Sequence, residues 1–182
     1  MATVSGRTIE QFLQMEEAKP AREYVRGEII EKPMPNRPHS AIQFFLAGML
    51  LQFLVRTGIG RGFTEFRCIF GPPGQVRTYV PDLTYVAKER LTEDLYLHTA
   101  PDLAIEILSP DQDAGRFLDK IQFYLRHGVR LVWVVDPDRE TVTALLPGED
   151  ARVLTPGDTL DGGEVLPGFS ISVAEIFAQA RV

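Results

Sequence analysis

Glu106 lies inside an otherwise apolar run, Leu103-Ala104-Ile105-Glu106-Ile107-Leu108. The run has the length and content of a buried strand. A carboxylate there loses its hydration, at a cost of several kcal/mol unless a cation, a proton or a hydrogen-bond cluster compensates. Asp82 opens an earlier strand-like run, Pro81-Asp82-Leu83-Thr84-Tyr85-Val86, and Lys120 lies on a helical segment just after Glu106. Hard oxygen ligands of this kind bind magnesium through one or two carboxylates, leaving positions for water and substrate. The ion lowers the pKa of bound water and neutralises charge on a phosphate. A nearby lysine orients the nucleophile or stabilises the transition state. The chemistry indicated is metal-dependent hydrolysis of a phosphodiester, with Asp82 and Glu106 as metal ligands and Lys120 assisting.

Each residue has a plainer reading. A Pro-Asp pair at a strand start is often only a turn signal, and Pro101-Asp102-Leu103 repeats Pro81-Asp82-Leu83, so Asp102 competes with Asp82. Spacing alone does not choose between them. Glu106 could instead form a structural bridge to Arg67 or Arg116. A helical lysine is usually solvated. On a helix over 113–127, however, Phe117, Leu118, Ile121, Tyr124 and Leu125 form the apolar stripe, and Lys120 falls on its edge beside Phe117 and Tyr124. Its stem can lie along the core while its amine reaches a sheet. Asp113, Arg116 and His127 share roughly that side. Other signals carry less. Gly58-Ile59-Gly60-Arg61-Gly62 follows a helix and lacks the strand–turn–helix context of a phosphate loop. His39, His98 and His127 are scattered, and one cysteine gives no zinc spacing. There is no nucleophile elbow. Asp136-Pro137 reads as a strand-ending turn, and Trp133 and Phe169 as core.

The elements that must position these groups follow from periodicity and punctuation. Thr8 to Lys19 predicts a short amphipathic helix ended by Pro20. Glu23 to Glu31 suits a hairpin turning at Gly27. After a proline-rich loop, a long helix starts at His39 or Ser40 and runs to about Thr57, stopped by Gly58 and Gly60. Strands are expected at about 62–69, 77–86 and 103–108, a helix at about 113–127 ended by Gly128, and a strand at Leu131 to Val135. Thr141 to Leu146 and Arg152 to Leu154 predict an antiparallel pair. Ser172 to Ala180 predicts a closing helix, with Ser172 and Glu175 in capping-box positions. The order points to one α/β domain over 1–182, a mixed sheet flanked by helices.

Composition narrows the setting. At 45% hydrophobic and 24% charged residues, the chain matches a soluble globular protein with a real core. Cys68 alone cannot form an intrachain disulfide, which suits a reducing, cytoplasmic compartment. The start, MATVSGRTIEQF, has no basic region followed by an apolar core, so no signal peptide is expected. The stretch from Ala41 to Val55 contains Gln43 and Gln52, is short for a membrane span and reads as a core helix. The net charge of −6 argues against non-specific coating of nucleic acid. Residues 136 to 164 hold eight acids and two arginines, so the remainder is neutral and leaves room for a locally basic cleft.

Taken together, Gly27-Glu28-Ile29-Ile30 with the proline-rich loop and His39, PDLTYV from Pro81, PDLAIEILSP from Pro101, DKIQFYLRHGV from Asp119, VWVVDP from Val132 and LPGFSISVAEIF from Leu166 resemble the Uma-type family of putative restriction endonucleases. That family lies within the PD-(D/E)XK nuclease superfamily. The resemblance implies a restriction-endonuclease-like αβββαβ core in which Asp82, favoured over Asp102, and Glu106 bind magnesium, with manganese as a substitute. The superfamily's usual lysine follows the second acid by two positions, where this chain has Leu108. Lys120 resembles the migrated lysine of variant members. The implied activity is magnesium-dependent endonucleolytic cleavage of DNA, and related folds imply a homodimer. The rival reading is a catalytically inactive nuclease-fold protein used for binding, suggested by the acidic total and the missing lysine at 108.

Overall fold

The computed structural model describes residues 3–110 and 112–181. A short strand β1 (Thr3–Ser5) precedes helix α1 (Ile9–Leu13), which opens on a capping box between Thr8 and Gln11. Strands β2 (Arg22–Val25) and β3 (Glu28–Glu31) form the expected hairpin. Its two turn residues, Arg26 and Gly27, both have positive φ (53° and 84°), the conformation that a two-residue hairpin loop requires. Helix α2 (Arg37–Thr57) is capped by Asn36, whose side chain accepts from the His39 N–H. It stops at Gly58, which adopts the left-handed conformation.

Then follow β4 (Gly60–Thr64), β5 (Cys68–Phe70), β6 (Arg77–Tyr79), β7 (Leu83–Ala87), β8 (Leu103–Ile107), α3 (Ala114–Arg126), β9 (Leu131–Asp136), β10 (Thr141–Leu145), β11 (Arg152–Leu154), β12 (Thr159–Gly162), β13 (Leu166–Ser172) and α4 (Val173–Ala178). The six-stranded sheet has the order β11-β10-β9-β8-β7-β4. Only the β8–β9 pair is parallel, bridged by α3 as a crossover. From α2 to β9 the framework elements run αβββαβ, once the two strands that leave for the second sheet are set aside. That second sheet has the order β1-β3-β2-β6-β5.

Four expectations need correction. The segments 62–69 and 77–86 are not continuous strands. Each breaks and changes sheet, the first at Glu65 (φ 48°) and the second around Pro81, which has no N–H to continue a ladder. The helix predicted to Lys19 ends at Leu13; beyond it, Glu17 pairs with both terminal nitrogens of Arg67 at 2.6 and 3.0 Å. Ser172 heads α4 without a side-chain cap, and the first N–H of the helix, that of Val173, donates to the Asp158 carbonyl. The β12–β13 pair had no clear signature in the sequence.

The six-stranded sheet separates two cores. Ile42, Leu46 and Leu50 of α2 pack on one face with Leu103, Ile105 and Ile107 of β8. The opposite face carries Ala104 and meets Ile121, Phe123 and Tyr124 of α3 and Phe70 and Tyr79 of the second sheet. Strand alternation therefore turns Glu106 toward α3 and the five-stranded sheet.

Candidate active site

Strands β7 and β8 run antiparallel with Leu83 opposite Ile105, a register that sets Asp82 opposite Glu106. Opposed residues of an antiparallel pair point to the same face. Asp82 is buried and anchored by three partners. Its Oδ2 accepts from the Ile107 N–H at 2.7 Å and lies 3.2 Å from His39 Nε2, and its Oδ1 accepts from Lys32 Nζ at 2.7 Å. Lys32 follows β3 and also donates to the Val80 carbonyl at 2.7 Å. His39 comes from the first turn of α2.

Glu106 is equally buried. Its Oε1 lies 2.7 Å from Lys120 Nζ and accepts from the Tyr124 hydroxyl at 2.8 Å. Oε2 has no hydrogen-bond partner among the described residues. Lys120 donates in turn to Glu23 Oε1 of β2 at 2.8 Å, and that oxygen also accepts from the Val80 N–H at 3.0 Å. Lys120 Nζ lies 5.5 and 5.8 Å from the ring centres of Tyr79 and Tyr124. One helical turn separates Lys120 from Tyr124, so α3 delivers both groups to the same carboxylate.

Three carboxylates thus face two ammonium groups, with His39 beside them. Burial would raise the Asp82 pKa, but Lys32 and His39 hold its carboxyl well below the usual range. Burial pushes Glu106 up, against the pull of Lys120 and Lys32. Burial would lower Lys120, yet Glu106 and Glu23 outweigh it and keep the ammonium protonated well above neutrality. Burial and the carboxylates of Glu106 and Glu23 also raise the Tyr124 hydroxyl, which remains a donor.

These groups line a cleft of about 690 Å³ together with Pro33, Met34, Ser109 and Arg116. The donor set suits a hard dication: two opposed carboxylates supply oxygen, and the ammonium groups leave the three acids one negative charge in excess. No three His, Cys, Asp or Glu side chains converge on one point among the described residues, so a metal here would take its other ligands from water, main chain or substrate.

The three site residues expected from sequence, Asp82, Glu106 and Lys120, meet in this cleft. Asp102 does not; it is buried at the opposite end of the sheet with Arg90 and Arg130. The arginine bridges considered for Glu106 do not form, since Arg67 pairs with Glu17 and Arg116 with Glu28. Sequence reasoning missed Glu23, Lys32, His39 and Tyr124 as members of the cluster. In the sequence Tyr124 reads as part of the apolar stripe, although its place one turn from Lys120 is a usable signal. Glu23 and Lys32 arrive from a separate sheet, and no local spacing reveals them.

The profile of the Uma2 family, described as putative restriction endonuclease, matches residues 9–174. Among solved structures, a putative nuclease belonging to DUF820 from Anabaena variabilis superposes with a TM-score of 0.88 at 32% sequence identity, covering 96% of this chain and 99% of that one. No curated protein sequence matches. With 166 consecutive residues matched to the profile, the chain belongs to the Uma2 family.

Proposed function

We propose that the protein is a magnesium-dependent endonuclease hydrolysing DNA phosphodiester bonds. The observation that carries this reading is the placement of Asp82 opposite Glu106, both buried at the wall of one open cleft. Asp82 and Glu106 would hold the dication, with manganese able to substitute. When bound, the ion supplies an acidified water and charge neutralisation at the phosphate.

The remaining work falls to the chain's own residues. The Ile107 N–H and His39 fix the Asp82 carboxylate so that little reorganisation accompanies binding. Lys120 and Tyr124 hold Glu106 Oε1, leaving Oε2 as the oxygen free for a ligand. Lys120 keeps a positive charge beside the reacting centre. Arg26 and Arg116, paired with Asp119 and Glu28, line the cleft and bring positive charge to it for a phosphate backbone.

Plasmid incubated with purified protein and magnesium or manganese tests this reading. Wild type should nick or linearise it and Asp82→Ala should not; equal cleavage by both would refute the assignment. One observation favours an inactive nuclease-fold binding protein: Lys32 already neutralises Asp82 at 2.7 Å, and Lys120 does the same for Glu106. Calorimetry with manganese separates the two readings, since only the enzyme has to take up the ion.

A further inference from the structure

The cleft that holds Asp82 and Glu106 is poor in free positive charge. Among the described residues, nine acidic side chains line it against five lysines and arginines. Four of those five are already paired: Lys32 with Asp82, Lys120 with Glu106, Arg26 with Asp119 and Arg116 with Glu28. A bound dication would reduce the negative excess without reversing it. Duplex DNA is held mainly by neutralising phosphates with Lys and Arg, and the cleft supplies little of that. The two carboxylates are also recessed, each 2% exposed. A duplex is stiff over about 150 base pairs and cannot easily bend one phosphate inward to reach them. An unpaired strand is flexible and can.

What the cleft offers instead is apolar surface next to the carboxylates. Lys32 donates to Asp82 at 2.7 Å and is followed directly by Pro33-Met34-Pro35, all three of which line the cleft. Met34 is 68% exposed. Its thioether is suited to aromatic faces. The flanking prolines have a fixed φ and no N–H, so this wall is stiff and presents flat apolar faces with few donors. Half-buried Phe117 of α3, one turn before Lys120, adds to the lining. In a duplex the base faces cover one another. In an unpaired strand they are open, and packing them on side chains gives affinity without charge and with little sequence preference.

We propose that the cleft takes DNA as an unpaired strand, with a base near the scissile phosphate packed on Met34 between Pro33 and Pro35. This rests on the nuclease reading and names its substrate class. Arg26 and Arg116 then serve one backbone rather than two. The reaction is the same hydrolysis: the oxygen of water bonds to phosphorus, one P–O ester bond breaks, and the leaving oxygen takes the proton. Negatively supercoiled plasmid opens short unpaired stretches and is therefore nicked, whereas the same plasmid made linear beforehand is spared.

The full-length protein is tested on end-labelled DNA of one sequence in three forms: single-stranded, fully paired, and paired with an unpaired tail. With manganese, kcat/KM should be at least about tenfold higher for the single strand than for the duplex, and cuts in the third form should fall in the tail. Fluorescence anisotropy without added metal should show the single strand bound at least about tenfold more tightly than the duplex. Met34→Ser should raise KM for the single strand about fivefold or more, with kcat within about twofold and the unfolding temperature unchanged, since the side chain is exposed. Met34→Phe should restore the wild-type KM. Duplex cut as fast as single strand, or a Met34→Ser variant with unchanged KM, would overturn the proposal and leave the nuclease reading standing. Preferential single-strand binding with no cleavage of any form would uphold the single-strand site and refute the nuclease reading. Neither cleavage nor preference would refute both.

Discussion

Pro81-Asp82-Leu83 and Pro101-Asp102-Leu103 are the same tripeptide at the heads of two neighbouring antiparallel strands, and their aspartates make nearly the same bonds. Asp82 Oδ2 accepts from the Ile107 N–H at the far end of β8 at 2.7 Å; Asp102 Oδ2 accepts from the Ala87 N–H at the far end of β7 at 2.8 Å. Each Oδ1 takes a cation, Lys32 at 2.7 Å in the first case, and Arg90 at 2.7 Å with Arg130 at 3.3 Å in the second. What differs is the residue before the capped N–H. It is Glu106 at one end and Val86 at the other. The cations differ as well, since Lys32 is nearly enclosed while Arg130 is half exposed. An aspartate bonded in this way terminates a strand pair. It becomes a candidate site only where the neighbouring strand adds a second carboxylate and a cleft reaches both.

The largest contrast is expected between Asp82→Ala and Asp102→Ala. The first should reduce plasmid cleavage at least on the order of 1,000-fold, the scale of losing a principal electrostatic group. The second should leave cleavage per folded molecule unchanged and lower the unfolding free energy by about 1–3 kcal/mol, since the Ala87 N–H loses its acceptor in a buried place. Equal loss of activity in both variants would dissolve the distinction between the two ends.

The cations should divide in the same way. Lys120→Met leaves Glu23 and Glu106 buried together without their shared counter-ion, and urea unfolding should show a loss of about 3–5 kcal/mol. Arg90→Met, at the strand-capping end, should cost at most about 1 kcal/mol, because its charge is partly solvated and Arg130 remains. Lys32→Met should tighten manganese binding about tenfold, a change of about 1.4 kcal/mol, because the ammonium on Asp82 Oδ1 competes with the ion. Calorimetry checks this; unchanged affinity would mean that Lys32 does not contest the site.

The contrast also marks what was legible in the sequence. Glu106 could be found because its own strand is apolar on both sides, and Lys120 because helical geometry sets it at the edge of a stripe. The framework α2-β4-β7-β8-α3-β9 followed from periodicity and from stops such as Gly58 and Gly128. The two Pro-Asp-Leu segments could not be separated by local reading, since the discriminating residue lies on the partner strand. The second sheet was hidden for a related reason. Its strands β5 and β6 are three residues each and merge in the sequence with β4 and β7, so the breaks at Glu65 and Pro81 looked like continuations. Glu23 and Lys32 come to the site only through that sheet.

Acid titration gives the smallest but most specific separation within the cleft end of the strand pair. The folded-state pKa of Asp82 lies below its unfolded value, so the carboxylate contributes stability above about pH 4, and this is lost as pH falls through the folded value. Glu106 has the opposite sign. Its folded pKa is raised, so its ionisation opposes folding near neutrality, and the penalty is relieved as pH falls toward the unfolded value of about 4.3. Glu106→Gln should therefore match or exceed wild type in stability at pH 7, and the advantage should vanish on approach to pH 4. Asp82→Asn should be less stable than wild type from pH 7 down to about 4, with the deficit shrinking only below that. Urea unfolding of the three proteins from pH 8 to pH 2 measures both differences. If they disappeared over the same interval, the two carboxylates would titrate as one group, and the separate anchoring of Asp82 by Lys32, His39 and the Ile107 N–H would not distinguish it from Glu106.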